Sequence, residues 1–164
     1  MLIATRYHAR MAQPGADEET LAGLKIACWR ETYPGILPQP VLDGLDFGRC
    51  AAEWRRALTR GIAWIGEQGG QQAGFGHMRC DEVTMLYVRE ADQGRGLGAR
   101  LLLQLFEEIG CLGHRHAHLW VLEKNSKARD FYRRMGGVPV ARRAVGFAHY
   151  PGIMEVRYDF CIDA

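Results

Sequence analysis

The segment Gln93-Gly94-Arg95-Gly96-Leu97-Gly98 restricts this chain more than any other. Before it runs Glu82 to Arg89, a largely apolar stretch whose Val83, Thr84, Tyr87 and Val88 favour a strand covered on both faces. After it come Leu97, Leu101, Leu105 and Ile109, with Leu102 and Phe106 beside them, a helical stripe that ends at Gly110. A strand, a glycine turn and a helix in immediate succession form a unit with one obvious use. Residues without Cβ let backbone N–H groups point at an anion beside the positive end of the helix, and a pyrophosphate is the natural guest. Arg95 adds a cation, and Arg89 and Arg100 stand close enough in sequence to reinforce it. A tight turn that holds nothing satisfies the same spacing. So does a dinucleotide fingerprint, since Gly94 to Ala99 reads G-x-G-x-x-A and Glu123 ends the next strand-like run. That fold opens on its fingerprint, however, whereas about half of this chain precedes the turn. A Walker loop is excluded, because no Gly-Lys-Ser/Thr follows.

The preceding half reads as a candidate strand at Ile3 to Tyr7, then a helix with Asp17, Glu18 and Glu19 at its start and Leu21, Leu24, Ala27 and Cys28 along its face. Pro34, Gly35, Pro38 and Pro40 stop that helix, and Phe47, Ala51, Trp54 and Leu58 mark a second. Ile62 to Glu67 and Ala73 to Arg79 form a hairpin about Gln68-Gly69-Gly70-Gln71. Beyond the glycine turn, His116 to Leu122 predicts a strand and Asn125 to Met135 a helix capped by Asn125 or Ser126. Strands near Val138 to Phe147 and Ile153 to Cys161 complete the order.

These elements fit one domain over 1–164, for which 48% hydrophobic content supplies a core. Lys and Arg number 21 against 19 Asp and Glu, so no field of one sign marks a nucleic-acid or membrane partner. Neither a signal-like apolar start nor a run of ~18 apolar residues is present, which predicts a cytoplasmic protein. Cys28, Cys50, Cys80, Cys111 and Cys161 are scattered and never spaced C-x-x-C, as expected of reduced thiols rather than disulfides or a zinc site.

Gln93 to Gly98 satisfies the acetyl-CoA signature of the GNAT superfamily of N-acetyltransferases: Gln or Arg, two residues, Gly, one residue, Gly or Ala. Leu86-Tyr87-Val88 resembles the end of that family's fourth strand, and Asn125-x-x-Ala128-x-x-Phe131-Tyr132 with Gly136 resembles its second cofactor-contacting motif. Trp29 to Pro38 is similar to the first-helix region of many small members. The resemblance implies an α/β (α+β) domain with a mixed, mostly antiparallel sheet of about seven strands, splayed between strands 4 and 5 and flanked by about four helices. It implies that acetyl-CoA lies in the splay. Leu86, Tyr87 and Val88 would meet its pantetheine arm through backbone groups, and Gln93, Gly94, Arg95, Gly96, Leu97, Gly98 and Ala99 would hold its pyrophosphate. Asn125, Ala128 and Phe131 would lie along the arm, with Tyr132 facing the sulfur.

Acetyl transfer to an amine needs a neutral amine, a stabilised oxyanion and a protonated leaving thiolate. Tyr132 is the expected acid, although Phe131-Tyr132 also reads as a core aromatic pair. Glu82 is the expected base, placed by strand alternation on one face with Thr84, Leu86 and Val88; an exposed strand-end carboxylate is the plainer reading. His77 and His149 are weaker choices. His114, His116 and His118 alternate along a strand, but no carboxylate or cysteine at a supporting offset joins them, so no metal is expected. Trp29 and Tyr33, with Trp54, fall in the region that in this family covers the acceptor. The expected activity is acetyl transfer from acetyl-CoA to the primary amine of a small molecule or peptide. A non-catalytic acyl-CoA sensor on the same fold and a dinucleotide-binding oxidoreductase are the alternatives. Terminal strands free to pair across subunits suggest a homodimer.

Overall fold

A computed structural model describes residues 7–146 and 149–162, so the expected strand start at Ile3 and strand end at Phe147 lie outside them. Seven strands form one sheet: β1 (His8–Met11), β2 (Ile62–Gln68), β3 (Gln71–Arg79), β4 (Glu82–Val88), β5 (His116–Leu122), β6 (Val138–Ala144) and β7 (Met154–Cys161). Their spatial order is β1-β2-β3-β4-β5-β7-β6, and every pairing is antiparallel except that of β4 with β5. This is the mixed sheet that the resemblance implies.

Among the described residues five α-helices flank it: α1 (Glu18–Thr32), α2 (Gln39–Asp43), α3 (Phe47–Leu58), α4 (Leu97–Cys111) and α5 (Ser126–Arg134). Of these, α2 departs from the sequence reading. α1 ends at Thr32, just before Pro34, whereas Pro38 and Pro40 occupy the cap and first turn of the next helix, where a missing N–H does no harm. In α3, Asp46 accepts from the Arg49 amide at 2.7 Å and starts the helix. Ala51, Trp54 and Leu58 are buried as the stripe predicts, with Cys50 beside them, whereas Phe47 is 48% exposed.

Two apolar layers cover the sheet. α1 and α3 pack Leu21, Leu24 and Trp54 onto Ile65 and Phe75. On the other side Leu102, Leu105 and Ile109 of α4 meet Val83, Leu119 and Tyr158, joined by Tyr132 of α5.

The sheet divides between its two parallel strands. β4 and β5 share one ladder pair, Glu82 with His118, and the His118 amide donates to the Asp81 carbonyl at 2.9 Å. The cause lies in β4 itself. Met78 pairs with Val83 but His77 pairs with Met85, so Thr84 is an extra residue, a β-bulge. A bulge bends and twists its strand, and β4 leaves β5 immediately beyond it.

Candidate functional site

The divergence opens a cavity of about 570 Å³. Its walls are Val83 to Val88 of β4, Leu119 to Leu122 of β5, the glycine turn, and Asn125, Ala128, Phe131 and Tyr132 from the start and middle of α5. Trp29, Thr32, Tyr33 and Leu37 close one end. Thus Leu86, Tyr87, Val88, Gln93, Gly94, Gly96, Gly98 and Ala99 come together with the α5 residues, as do Trp29 and Tyr33.

Other expected residues lie elsewhere. Leu97 turns into the core at 1% exposure, and Arg95 is exposed outside the wall. Arg89 and Arg100, expected to reinforce an anion site, are engaged: Arg89 binds Glu31 at 2.7 and 2.9 Å, and Arg100 donates to the Tyr7 carbonyl at 2.8 Å. Glu82 sits at the closed end of the split and is not part of the wall. The bulge also breaks its expected alternation. Val83 and Leu86 both pack toward α4, so Glu82 and Leu86 fall on opposite faces.

The glycine turn owes its shape to two left-handed residues, Gly94 at φ 73° and Gly96 at φ 89°. Gly96 is the N-cap of α4 and brings no side chain to its first-turn amides, which leaves them for an anionic guest. Gln93 fastens this corner by donating to the Val88 carbonyl at 2.9 Å and accepting from Lys127. Lys127 also lines the cavity, a cation the sequence analysis missed; its place in the first turn of α5 was the available signal. Asn125, not Ser126, caps α5, accepting from the Ala128 amide at 3.2 Å.

Tyr132 is 7% exposed and packs on Phe131, Tyr158 and Phe160, yet its hydroxyl has no hydrogen-bond partner among the described residues. Burial, with the nearby Tyr87 second, pushes its phenol well above the ordinary value. Across the cavity the Tyr33 and Tyr87 hydroxyls share a hydrogen bond of 2.7 Å. Burial raises both, so the pair stays protonated. Glu155 of β7 also reaches the wall, where it binds Arg143, whose guanidinium lies 3.8 Å from the Trp120 ring centre. Sequence reasoning missed Glu155. The alternation of Glu155, Arg157 and Asp159 with buried Val156, Tyr158 and Phe160 was legible, but not which end of β7 meets the cavity.

The histidines stand apart. His77 is buried outside the main cavity, with Nδ1 2.5 Å from the Thr84 hydroxyl, and burial lowers its pKa. His149 is exposed; His114 and His116 are exposed, and His118 lies beside Asp81.

A family profile described as an acetyltransferase (GNAT) domain matches residues 59–136. A probable N-acetyltransferase of Mycobacterium tuberculosis is 35% identical, with 76% of each chain covered. Among solved structures, a GCN5-related N-acetyltransferase from Rhodopseudomonas palustris superposes with a TM-score of 0.80 at 19% identity, over 98% of this chain and 99% of that one. YncA of Salmonella typhimurium, solved with its cofactor acetyl-CoA, gives 0.73 at 20% identity, over 97% and 95%. Likeness at such low identity establishes a common fold.

Proposed function

This chain belongs to the GNAT acetyltransferases, and on that premise we propose that it moves the acetyl group of acetyl-CoA directly onto the primary amine of a small molecule or peptide. The observation that carries the proposal is the split between β4 and β5, lined by the largely buried Tyr132 with its hydroxyl unbonded.

The Arg89 amide donates to Ala73 of β3 at 2.8 Å. By strand alternation the backbone groups of Leu86 and Val88 therefore face away from β3, toward the split. The Val88 carbonyl is taken by Gln93, so the Leu86 and Val88 amides are the donors left for the pantetheine arm and the thioester oxygen. The amine nitrogen attacks the thioester carbon, an amide N–H stabilises the oxyanion, and the C–S bond breaks as the tetrahedral intermediate collapses. Tyr132 passes its proton to the departing thiolate. Lys127 and the first-turn amides of α4 are suited to the pyrophosphate. Because Glu82 is not in the wall, we assign the amine's proton to Glu155, the carboxylate that is.

Acetyl-CoA and coenzyme A should raise the unfolding temperature, whereas NAD should not. Release of coenzyme A over a panel of amines tests the chemistry; binding without turnover on any of them would replace the enzyme with an acyl-CoA sensor. Tyr132→Phe should lower turnover about 100-fold, the lower end of what a general acid contributes, because a thiolate is a good leaving group. Its affinity for coenzyme A should be retained, and unchanged turnover would remove Tyr132 from the mechanism.

A further inference from the structure

A second opening, of about 270 Å³, lies on the α3 side of the sheet. Three arginines border it: Arg56 from α3, Arg60 just after that helix, and Arg79 at the end of β3. Gly61 brings them together. A Cβ there would lie 2.1 Å from the Met78 carbonyl oxygen, so the chain can pass this close to β3 only as glycine, and Arg60 is thereby fixed near Arg79. None of the three guanidinium groups has a hydrogen-bond or ion-pair partner among the described residues. The one carboxylate on the rim, Glu53, is held by Lys25 at 2.9 Å. Three like charges around one opening repel one another, and the local carboxylate leaves them uncompensated. Such a group is suited to an oxyanion, which guanidinium donors bind in a planar, often bidentate fashion.

The opening adjoins the main cavity, because Thr84 and Met85 line both. Thr84 is the bulge residue, and Leu86, whose amide is assigned to the thioester, is two positions away, about 7 Å along an extended strand. A molecule with one end among the arginines can extend past Thr84 toward the carbon that the Leu86 amide would face.

We propose that this opening is the acceptor's acid subsite: the substrate is an amine that carries a carboxylate or phosphate a few carbons away, held by Arg56, Arg60 and Arg79. The floor of Ala57, Met85 and His77 supports a short aliphatic link, and 270 Å³ admits one end of a molecule rather than the whole. The inference rests on the acetyl-transfer reading and narrows its acceptor.

The test is coenzyme A release with matched amines: 4-aminobutyrate against 4-aminobutanamide, and phosphoethanolamine against ethanolamine, which separates carboxylate from phosphate. At least one acid should exceed its neutral partner in kcat/KM by 10-fold or more. Replacing Arg56, Arg60 and Arg79 together with Gln should collapse that preference about 10- to 100-fold, the range expected for bonds to a charged group, and through KM rather than kcat. Arg55→Gln, on the same helix but away from the opening, should retain it. Equal rates for acids and neutral partners, or a preference untouched by the triple change, would overturn the proposal. If no amine is acetylated, the enzyme reading fails and the subsite is judged by titrating glutarate and inorganic phosphate calorimetrically in the presence of coenzyme A. Heat that the triple variant abolishes upholds an acid site; no difference between the proteins rejects it.

Discussion

Asp17 reads in the sequence as an acid favouring the start of a helix, but its carboxylate has another engagement. It takes both terminal nitrogens of Arg10 at 2.8 Å and the Gln13 amide at 2.7 Å, pinning β1 to the start of α1. The Arg10 bonds, against the opposing effect of burial, hold its pKa below the ordinary 3.8. A depressed carboxylate stabilises the fold at every pH above its unfolded value, and that contribution disappears as pH falls through the folded value. Asp17→Asn should therefore cost about 1.5–3 kcal/mol at pH 7, the worth of hydrogen bonds to a charged group. Urea melts should show the difference from the parent protein narrowing as pH is taken below about 4. Single residues were legible in the sequence where their neighbours in the chain determine their place. Gly96 and Asn125 are of this kind, set by a local turn and a local cap. The Tyr33–Tyr87 bond, Glu155 and the Arg89–Glu31 pair are not, because each depends on which elements meet.

At the level of the element, the glycine turn separates residues that sequence treats alike. Gly96 has φ 89°, which an L side chain adopts only with strain, while a Cβ on Gly98 would make ordinary contacts of 3.6 Å with Phe131 and Val88. Gly96→Ala should destabilise the protein by about 1–2 kcal/mol and weaken coenzyme A binding. Gly98→Ala should leave both nearly as they are. Thermal unfolding with and without coenzyme A distinguishes the two, and equal behaviour would contradict the assigned turn geometry. The first strand, expected at Ile3 to Tyr7, runs over His8–Met11, whereas the later strands, the hairpin, α4 and α5 were legible because their periodicity is strong. The bulge was not, since Glu82-Val83-Thr84-Met85-Leu86 carries no mark of the extra residue, and the face of Glu82 was misjudged with it. Nor was α2, whose Pro38 and Pro40 read as stops to the preceding helix but start this one.

Taken whole, the molecule is two half-sheets, β1 to β4 and β5 with β7 and β6, that touch through one ladder pair. Whatever fills the split supplies contacts that the strands themselves lack. Acetyl-CoA should therefore slow amide exchange in both β4 and β5, with the Leu86 and Val88 amides among the most protected, which hydrogen-exchange mass spectrometry reads directly. Protection confined to the glycine turn would mean that the ligand binds by its phosphates alone. The order of elements was readable from the sequence and the architecture from the family resemblance, but the shape of the acceptor end was not. On the proposed reading that end is assembled from α1, the stretch leading to α2, the α3–β3 opening and β7, which are distant in sequence.

The splay also bears on how a lineage of such proteins can diversify. The groups suited to the cofactor come from one continuous stretch, Leu86 to Tyr132, while the acceptor side is drawn from both flanks of that stretch. If the proposed reaction holds, drift in α1, α3 or β7 can trade one amine for another without disturbing the thioester. A duplicated gene thus inherits its chemistry intact and is free to change its customer.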